Sequence, residues 1–285
     1  MPTRDLTFAI VGSGGDGVIT VGDMMAQAGA SKGLHVMKVE AYGPQIRGGE
    51  SSCTVRLSAD PIFAQGDLVQ VLVVFNWADF ARFRGEIICG ENAIVLYEAS
   101  DETPHDQIDL GPVEEVKWVP VPFIELAKEA TGTTLAKNIV TLGLLGELFK
   151  LPKDAMERAI KGKFSKKKEA VLKANIEGFN AGIAHASKID EAATGMRLQY
   201  TPGEPMLLMS GNELSAVASL HAGCRFFAGY PITPSSEVLH LLSELMPKVG
   251  GYLVQTEDEL SAIGAVIGGS FSGVKSMTAT SGPGL

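Results

Sequence analysis

Cysteine is scarce: the 285-residue chain has three, Cys53, Cys89 and Cys224. No C-x-x-C pair occurs, so the chain cannot itself hold a four-cysteine iron–sulfur cluster in a familiar spacing. Isolated thiols instead read as buried apolar residues in a reducing compartment. Cationic residues are outnumbered, 24 Lys and Arg against 33 Asp and Glu, for a net charge of -9. That balance argues against non-specific binding to nucleic acid. An anionic ligand would need backbone N–H groups or a few placed cations. No apolar run approaches the roughly 18 residues of a membrane span. The start, "MPTRDLTFAIVG", lacks the h-region and cleavage site of a signal peptide. A cytoplasmic protein that does not enter a membrane is expected.

Apolar residues make up 45% of the chain and charged ones 20%, a globular composition. The length leaves room for one large domain or two ordinary ones. Up to about residue 121, strand and helix patterns alternate. "LTFAIVG" and "LVQVLVVFN" read as buried strands, "HVMKVEAY" and "SSCTVRLS" as alternating ones. "AIVLYEAS" and "VKWVPVPF" complete the strands, and a helical stretch over 122–187 follows. Val18, Met25 and Ala28 have helical spacing, with Gly33 as the expected C-cap. An α/β domain over 1–187 is expected. The polar, aperiodic stretch 188–205 reads as a linker. A second α/β pattern runs from 206 to 285 and stops in a glycine loop. It is short for an α/β core, so the natural polypeptide is expected to continue beyond Leu285.

In "FAIVGSGGDGVIT", Gly12, Gly14 and Gly17 fit G-x-G-x-x-G. A turn without Cβ atoms at a helix start offers free N–H groups to a phosphate. Glu40, about 20 residues on at the end of the next strand, stands where a ribose-binding acid would. An NAD-dependent dehydrogenase is the plain reading. Against it, Asp16 places an anion inside the turn. A second loop, "EAYGPQIRGGESSCTVRLS", sets Pro44, Arg47 and a Gly-Gly pair between two strands. Arg47 can fork onto a phosphate or carboxylate.

Together, "GSGGDGVIT" and "YGPQIRGGESSCTVRLS" resemble the gamma domain of the 2-oxoacid:ferredoxin oxidoreductases, over most of residues 5 to 185. The resemblance implies coenzyme A rather than NAD. It carries that role onto Gly15, Asp16, Gly17, Val18 and Ile19, onto Arg47, onto Asn138 in "AKNIVTLG" and onto Asn175 in "KANIEGFNAG". Glu40 then loses its ribose role.

The later motifs are similar to the alpha subunit of the same family. "GYPITPSSE" matches its Y-P-I-T-P loop, Tyr230, Pro231 and Ile232 leading to Thr233. The two prolines stiffen the loop, and the resemblance gives Thr233 the 2-oxoacid contact. "EDELSAIGAVIGGS" looks like the helix of thiamine-diphosphate enzymes that carries the catalytic glutamate, with Glu259, Ala262 and Gly268 in register. A carboxyl group on N1′ of the aminopyrimidine favours the imino form that deprotonates C2. Burial among Leu260, Ala262 and Ile263 is expected to raise the acid's pKa, and Glu257 competes for the role. "TATSGPG" resembles the pyrimidine-domain loop, with Ser281 and Gly282 beside the cofactor.

The order gamma then alpha on one chain resembles the larger subunit of the two-subunit enzymes. By resemblance the fold is a gamma-type α/β domain, a linker, and the first part of a pyrimidine-binding α/β domain. The implied reaction is decarboxylation of a 2-oxoacid, with 2-oxoglutarate favoured, coenzyme A as acyl acceptor and ferredoxin as electron acceptor. The cofactors are thiamine diphosphate and Mg2+, shared with a beta subunit that also carries a [4Fe-4S] cluster, in an (alpha-beta)2 assembly. Two rivals stay open: the NAD-dependent dehydrogenase, and a non-catalytic acyl-CoA- or nucleotide-binding module.

Overall fold

The computed structural model describes residues 2–43, 49–190 and 194–285, which divide into two compact units, Met1–Leu208 and Met209–Leu285. The first unit is built on a six-stranded sheet. Its strands are β2 (Asp5–Ser13), β3 (His35–Tyr42), β4 (Glu50–Ser58), β5 (Val69–Val74), β6 (Cys89–Glu98) and β7 (Val116–Val121), in the order β3-β4-β2-β5-β6-β7. β2 is parallel to β5, β5 to β6 and β6 to β7, while β4 is antiparallel to both of its neighbours. Period-two alternation sorts β2 between the two faces. Leu6, Phe8 and Ile10 enter one core and Ala9 and Val11 the other. The run of β-branched residues in β5 is buried on both faces for the same reason.

One core is roofed by helices. α1 (Val18–Ala30) follows β2; α3 (Phe123–Thr131), α4 (Lys137–Leu148), α5 (Lys153–Phe164) and α6 (Glu169–Ala186) follow β7. A short helix, α2 (Trp77–Phe80), follows β5. α1 seats Gly22 and Gly29 on β4: a Cβ on Gly22 would meet Cys53 Sγ at 2.2 Å, and one on Gly29 Leu57 Cδ2 at 2.8 Å. α4 and α6 cross through two glycines. A Cβ on Gly143 would fall 2.0 Å from the Phe179 carbonyl oxygen, and one on Gly182 2.0 Å from that of Val140. Gly33, expected as the C-cap of α1, lies two residues beyond the observed cap, Ser31. It turns the chain with φ 78° and has no room for a side chain, since a Cβ would meet the Gly203 Cα at 2.8 Å.

Within the stretch 188–205, expected to link two domains, residues 197–203 are fastened to the first unit. A two-residue strand β8 (Arg197–Leu198) pairs in parallel with β1 (Pro2–Thr3). The N–H groups of Gly203 and Met206 donate to the carbonyls of Lys32 and Ala30 at 2.9 and 2.8 Å. Side chains join the backbone in this attachment: Leu198 is buried, and Ile189, Met196 and Tyr200 pack against the core of the first unit.

The second unit alternates helix and strand: α7 (Gly211–His221), β9 (Phe226–Gly229), α8 (Ser236–Leu245), β10 (Tyr252–Gln255), α9 (Glu259–Phe271) and β11 (Ser276–Met277). Ser210 and Glu213 form a capping box on α7. The three strands are parallel in the order β10-β9-β11, around Phe227 with Val238, Leu239, Leu242 and Met246. No helix among the described residues is long and apolar enough to cross a membrane.

Candidate functional site

In the first unit, β2 and β5 are parallel neighbours whose onward connections run to opposite sides of the sheet. In open α/β sheets, ligands bind at the carboxyl ends of such a pair. The glycine loop sits there. Gly15 has φ 105° and Gly17 φ 74°, values that L side chains resist. The loop is clamped by the Gly14 N–H on the Gly49 carbonyl at 2.6 Å and by the Ser13 hydroxyl on Asp79 Oδ2 at 2.7 Å. Asp16 turns back from the turn. Its Oδ2 accepts the Ser13 N–H at 3.0 Å, and its Oδ1 lies 2.8 Å from Lys137 Nζ. No side chain caps α1, so its first N–H groups, on Val18 and Ile19, are left to water or an outside acceptor.

The structure brings Asn138 to this loop. A Cβ on Gly17 would lie 2.1 Å from Asn138 Nδ2, so the amide rests on the glycine backbone. Asn175 is half-buried on α6 and donates to the Val171 carbonyl at 2.7 Å. It lines a largely apolar cavity of about 300 Å3 with Thr133, Ala136 and Ala174. Ala136 caps α4 two residues before Asn138. Arg47 lies outside the described residues.

Glu40 does not form a ribose site. A dinucleotide fold pairs the strand after α1 directly with the strand before it. Here antiparallel β4 is inserted between β2 and β3, which sets Glu40 on the edge strand about 10 Å, two strand spacings, from β2. Its carboxylate is also taken by Lys38 and the Tyr42 hydroxyl. Burial works against its charge, but those two donors outweigh it and hold the acid below its ordinary pKa. The cysteines are equally unavailable. All three are buried, and burial pushes the Cys53 and Cys89 thiols up to about 12. Among the described residues no group of three or more His, Cys, Asp or Glu could hold a metal ion.

In the second unit, three parallel strands deliver three motif loops to one edge. Residues 230–235 follow β9, 256–258 follow β10 and 278–281 follow β11, all at carboxyl ends. The Thr256 N–H donates to the Gly229 carbonyl at 3.0 Å, tying two loops together. Tyr230, Pro231 and Thr233 are exposed. Their loop is held from behind: the Ser235 hydroxyl and the Ser236 N–H both reach the Ile232 carbonyl at 2.9 Å, and Asn212 Nδ2 reaches the Pro234 carbonyl at 3.2 Å.

Glu259 is the first residue of α9 and is half-buried. Asp258 does the capping, accepting the Ser261 N–H at 2.6 Å, and that donor holds its carboxyl below the usual carboxylate range. Glu259 is thereby spared the capping hydrogen bond. It packs on the S-G-P-G turn, where a Cβ on Gly284 would meet Glu259 Cγ at 2.8 Å and Thr280 Oγ1 at 2.1 Å. The Thr280 hydroxyl is buried without a hydrogen-bond partner. Glu257 is exposed and precedes the helix. The expected apolar wall differs. Ala262 is buried, but Leu260 is 83% exposed and Ile263 44%, because both point away from the sheet. Sequence reasoning did not single out Lys137, Asn212 or Thr280. Thr280 lies inside the "TATSGPG" motif, which was its available signal.

Comparison with known proteins adds the family. The family model described as pyruvate ferredoxin/flavodoxin oxidoreductase matches residues 7–185. The one described as the thiamine diP-binding part of pyruvate flavodoxin/ferredoxin oxidoreductase matches residues 217–285. The 2-oxoglutarate synthase subunit KorA of Archaeoglobus fulgidus is 58% identical over 80 residues, 28% of this chain and 23% of its own. The 2-oxoglutarate oxidoreductase subunit KorA of Mycobacterium tuberculosis is 29% identical over 99% of this chain and 47% of its own. The solved 2-oxoglutarate:ferredoxin oxidoreductase of Magnetococcus marinus, with 2-oxoglutarate, coenzyme A and succinyl-CoA bound, superposes with a TM-score of 0.87 at 36% identity, over 99% of this chain and 48% of that one. The gamma subunit of a Geobacter sulfurreducens keto/oxoacid ferredoxin oxidoreductase aligns with 65% of this chain at TM-score 0.53 and 25% identity. The chain thus spans about half the length of its full-length matches. A gamma-type α/β domain is followed by a thiamine-diphosphate-binding type of domain, and the chain belongs to the pyruvate ferredoxin/flavodoxin oxidoreductase family.

Proposed function

We propose that this chain is part of the larger subunit of a 2-oxoacid:ferredoxin oxidoreductase acting on 2-oxoglutarate, with coenzyme A as acyl acceptor. One observation carries the reading: the half-buried Glu259 packs against the S-G-P-G turn beside the unpaired, buried Thr280 hydroxyl. An acid and an unused hydroxyl at the carboxyl edge of a parallel sheet suit the aminopyrimidine of thiamine diphosphate. Bound there, thiamine diphosphate would supply the nucleophilic carbon on which a 2-oxoacid loses CO2.

The chain's own residues would serve that chemistry from three loops. Glu259 holds a proton at the ring nitrogen. Tyr230, Pro231 and Ile232 present the exposed Thr233 hydroxyl to the 2-oxoacid, and Ser281 and Gly282 complete the cofactor's surroundings. In the first unit, the loop Gly15–Ile19 and Asn138 offer donors to the phosphates of coenzyme A, and the sequence resemblance adds Arg47 and Asn175 as contacts to the same ligand. Among the described residues the donor set suits neither Mg2+ nor a cluster. A beta subunit is therefore proposed to hold the diphosphate, its Mg2+ and a [4Fe-4S] cluster that passes electrons to ferredoxin, in a cytoplasmic (alpha-beta)2 assembly.

The natural polypeptide, copurified with its partner, should reduce viologen only when a 2-oxoacid and coenzyme A are both present, fastest with 2-oxoglutarate among pyruvate, 2-oxoglutarate and branched-chain acids. Nicotinamide-dependent turnover without a 2-oxoacid would defeat the reading. Asn138→Ala should raise the KM for coenzyme A by roughly tenfold, the worth of one hydrogen bond of about 1.4 kcal/mol. The KM for the 2-oxoacid should stay as in wild type.

A further inference from the structure

We propose that Lys137 is a ligand-facing cation of the glycine-loop site, and that Asp16 is the counter-ion an incoming phosphate displaces from it. The inference rests on the coenzyme A reading and adds a residue to it.

Lys137 is poorly placed for a purely structural lysine. It is the first residue of α4, where the positive end of the helix dipole disfavours a cation. Its side chain is 14% exposed, and that of Asp16 18%. Desolvating an ammonium ion is costly unless a partner compensates. Here two groups do so: Asp16 at 2.8 Å, and the face of Phe75, whose centroid lies 5.0 Å from Nζ. The same spot gathers further positive potential. α1 begins at Val18 and α4 at Lys137, the N-cap residues Gly17 and Ala136 supply no side-chain cap, and Asn138 Nδ2 rests on Gly17. Two helix starts and one ammonium gather beside Asp16, with Asp79 behind it on the Ser13 hydroxyl and the Ile139 N–H of α4 already donating to Asn138 Oδ1. That gathering suits an anion carrying more charge than Asp16.

The carboxylate is built to let go on one side only. Oδ2 is anchored to the Ser13 N–H at 3.0 Å, while Oδ1 meets the lysine. Asp16 can release Nζ and still hold the loop in shape. The cation therefore stays neutralised when the site is empty and is in place when a phosphate arrives.

Titration calorimetry of the full chain with coenzyme A, and separately with inorganic pyrophosphate, tests this. Lys137→Met should weaken coenzyme A binding by about 10- to 100-fold, the range for a hydrogen bond to a charged group. Asp16→Asn, which removes the competing anion but keeps an acceptor for the Ser13 N–H, should bind several-fold tighter than wild type. The double variant Lys137→Met/Asp16→Asn has no unpaired buried charge, so it keeps the test alive if Lys137→Met fails to fold. It should remain as weak as Lys137→Met. A merely structural ion pair predicts the reverse: both single variants weakened alike, and the double variant restored. That pattern, or wild-type affinity in Lys137→Met, overturns the inference and leaves the coenzyme A reading standing. A wild-type chain that binds neither probe overturns both.

Discussion

Glu259→Gln is expected to lower 2-oxoacid-dependent viologen reduction by about 10²- to 10⁴-fold in the assembled enzyme, the usual worth of a positioned acid–base group. Glutamine keeps the shape and can still accept a hydrogen bond, but it cannot share a proton with a ring nitrogen. Folding should hardly change. Asp258, not Glu259, caps α9 through the Ser261 N–H. A charge lost from the first turn costs only about 0.3–1 kcal/mol. A thermal melt of each variant checks this. Glu257→Gln is the matched control, since Glu257 is exposed and outside the helix. It should leave the rate within about a factor of two. Full turnover in Glu259→Gln with loss in Glu257→Gln would hand the role to the earlier acid.

Gly182→Ala should produce the largest loss of stability. A methyl at this position would sit 2.0 Å from the Val140 carbonyl oxygen and 2.8 Å from the Leu144 nitrogen, both backbone atoms that cannot swing aside. α4 and α6 would have to separate, loosening the packing of Phe179 and Leu144. Overpacking of this kind costs about 1–3 kcal/mol and more where backbone must move, against a helix-propensity gain of up to about 1 kcal/mol. A net loss of about 2 kcal/mol would lower Tm by roughly 4–8 °C. Gly162→Ala, in α5 with no atom within 4 Å of the added methyl, should instead gain up to about 1 kcal/mol. If both variants melted together, the close crossing of α4 and α6 would be wrong. Asn138 and Asn175 stand on these two helices, so Gly182→Ala should weaken coenzyme A binding as well.

The strands were legible in the sequence, but their order was not. "LVQVLVVFN" announces a doubly buried strand by its composition, and β5 is one. Which strand lies beside β2 is a long-range matter. The antiparallel pairing of Phe8 with Val55 and of Ala9 with Thr54 places β4 there, and no local pattern encodes it. For that reason a glycine fingerprint with an acid about 20 residues on imitates a dinucleotide site that the sheet does not build. The glycine loop itself was readable, because positive φ at Gly15 and Gly17 demands glycine whatever the neighbours. The partners of the loop were not. Lys137 meets Asp16 across 121 residues of chain, and Thr280 acquires meaning only when the turn closes on Glu259. The attachment of residues 197–203 to the first unit was illegible for a related reason: several of its bonds join backbone atoms, which composition does not record.

Helix α1 spans an extra strand to reach β3, and it does so lying against β4 at Gly22, with the Cys53 sulfur directly beneath. That contact acts as a spacer of fixed thickness. A bulkier residue at position 22, or an oxidised sulfur at position 53, would tilt the rod and raise its leading end. The donors of Val18 and Ile19 ride on that end. The height at which this protein offers its N–H groups to a visitor is therefore set a full turn away, in the middle of the sheet, by a thiol that never touches the guest.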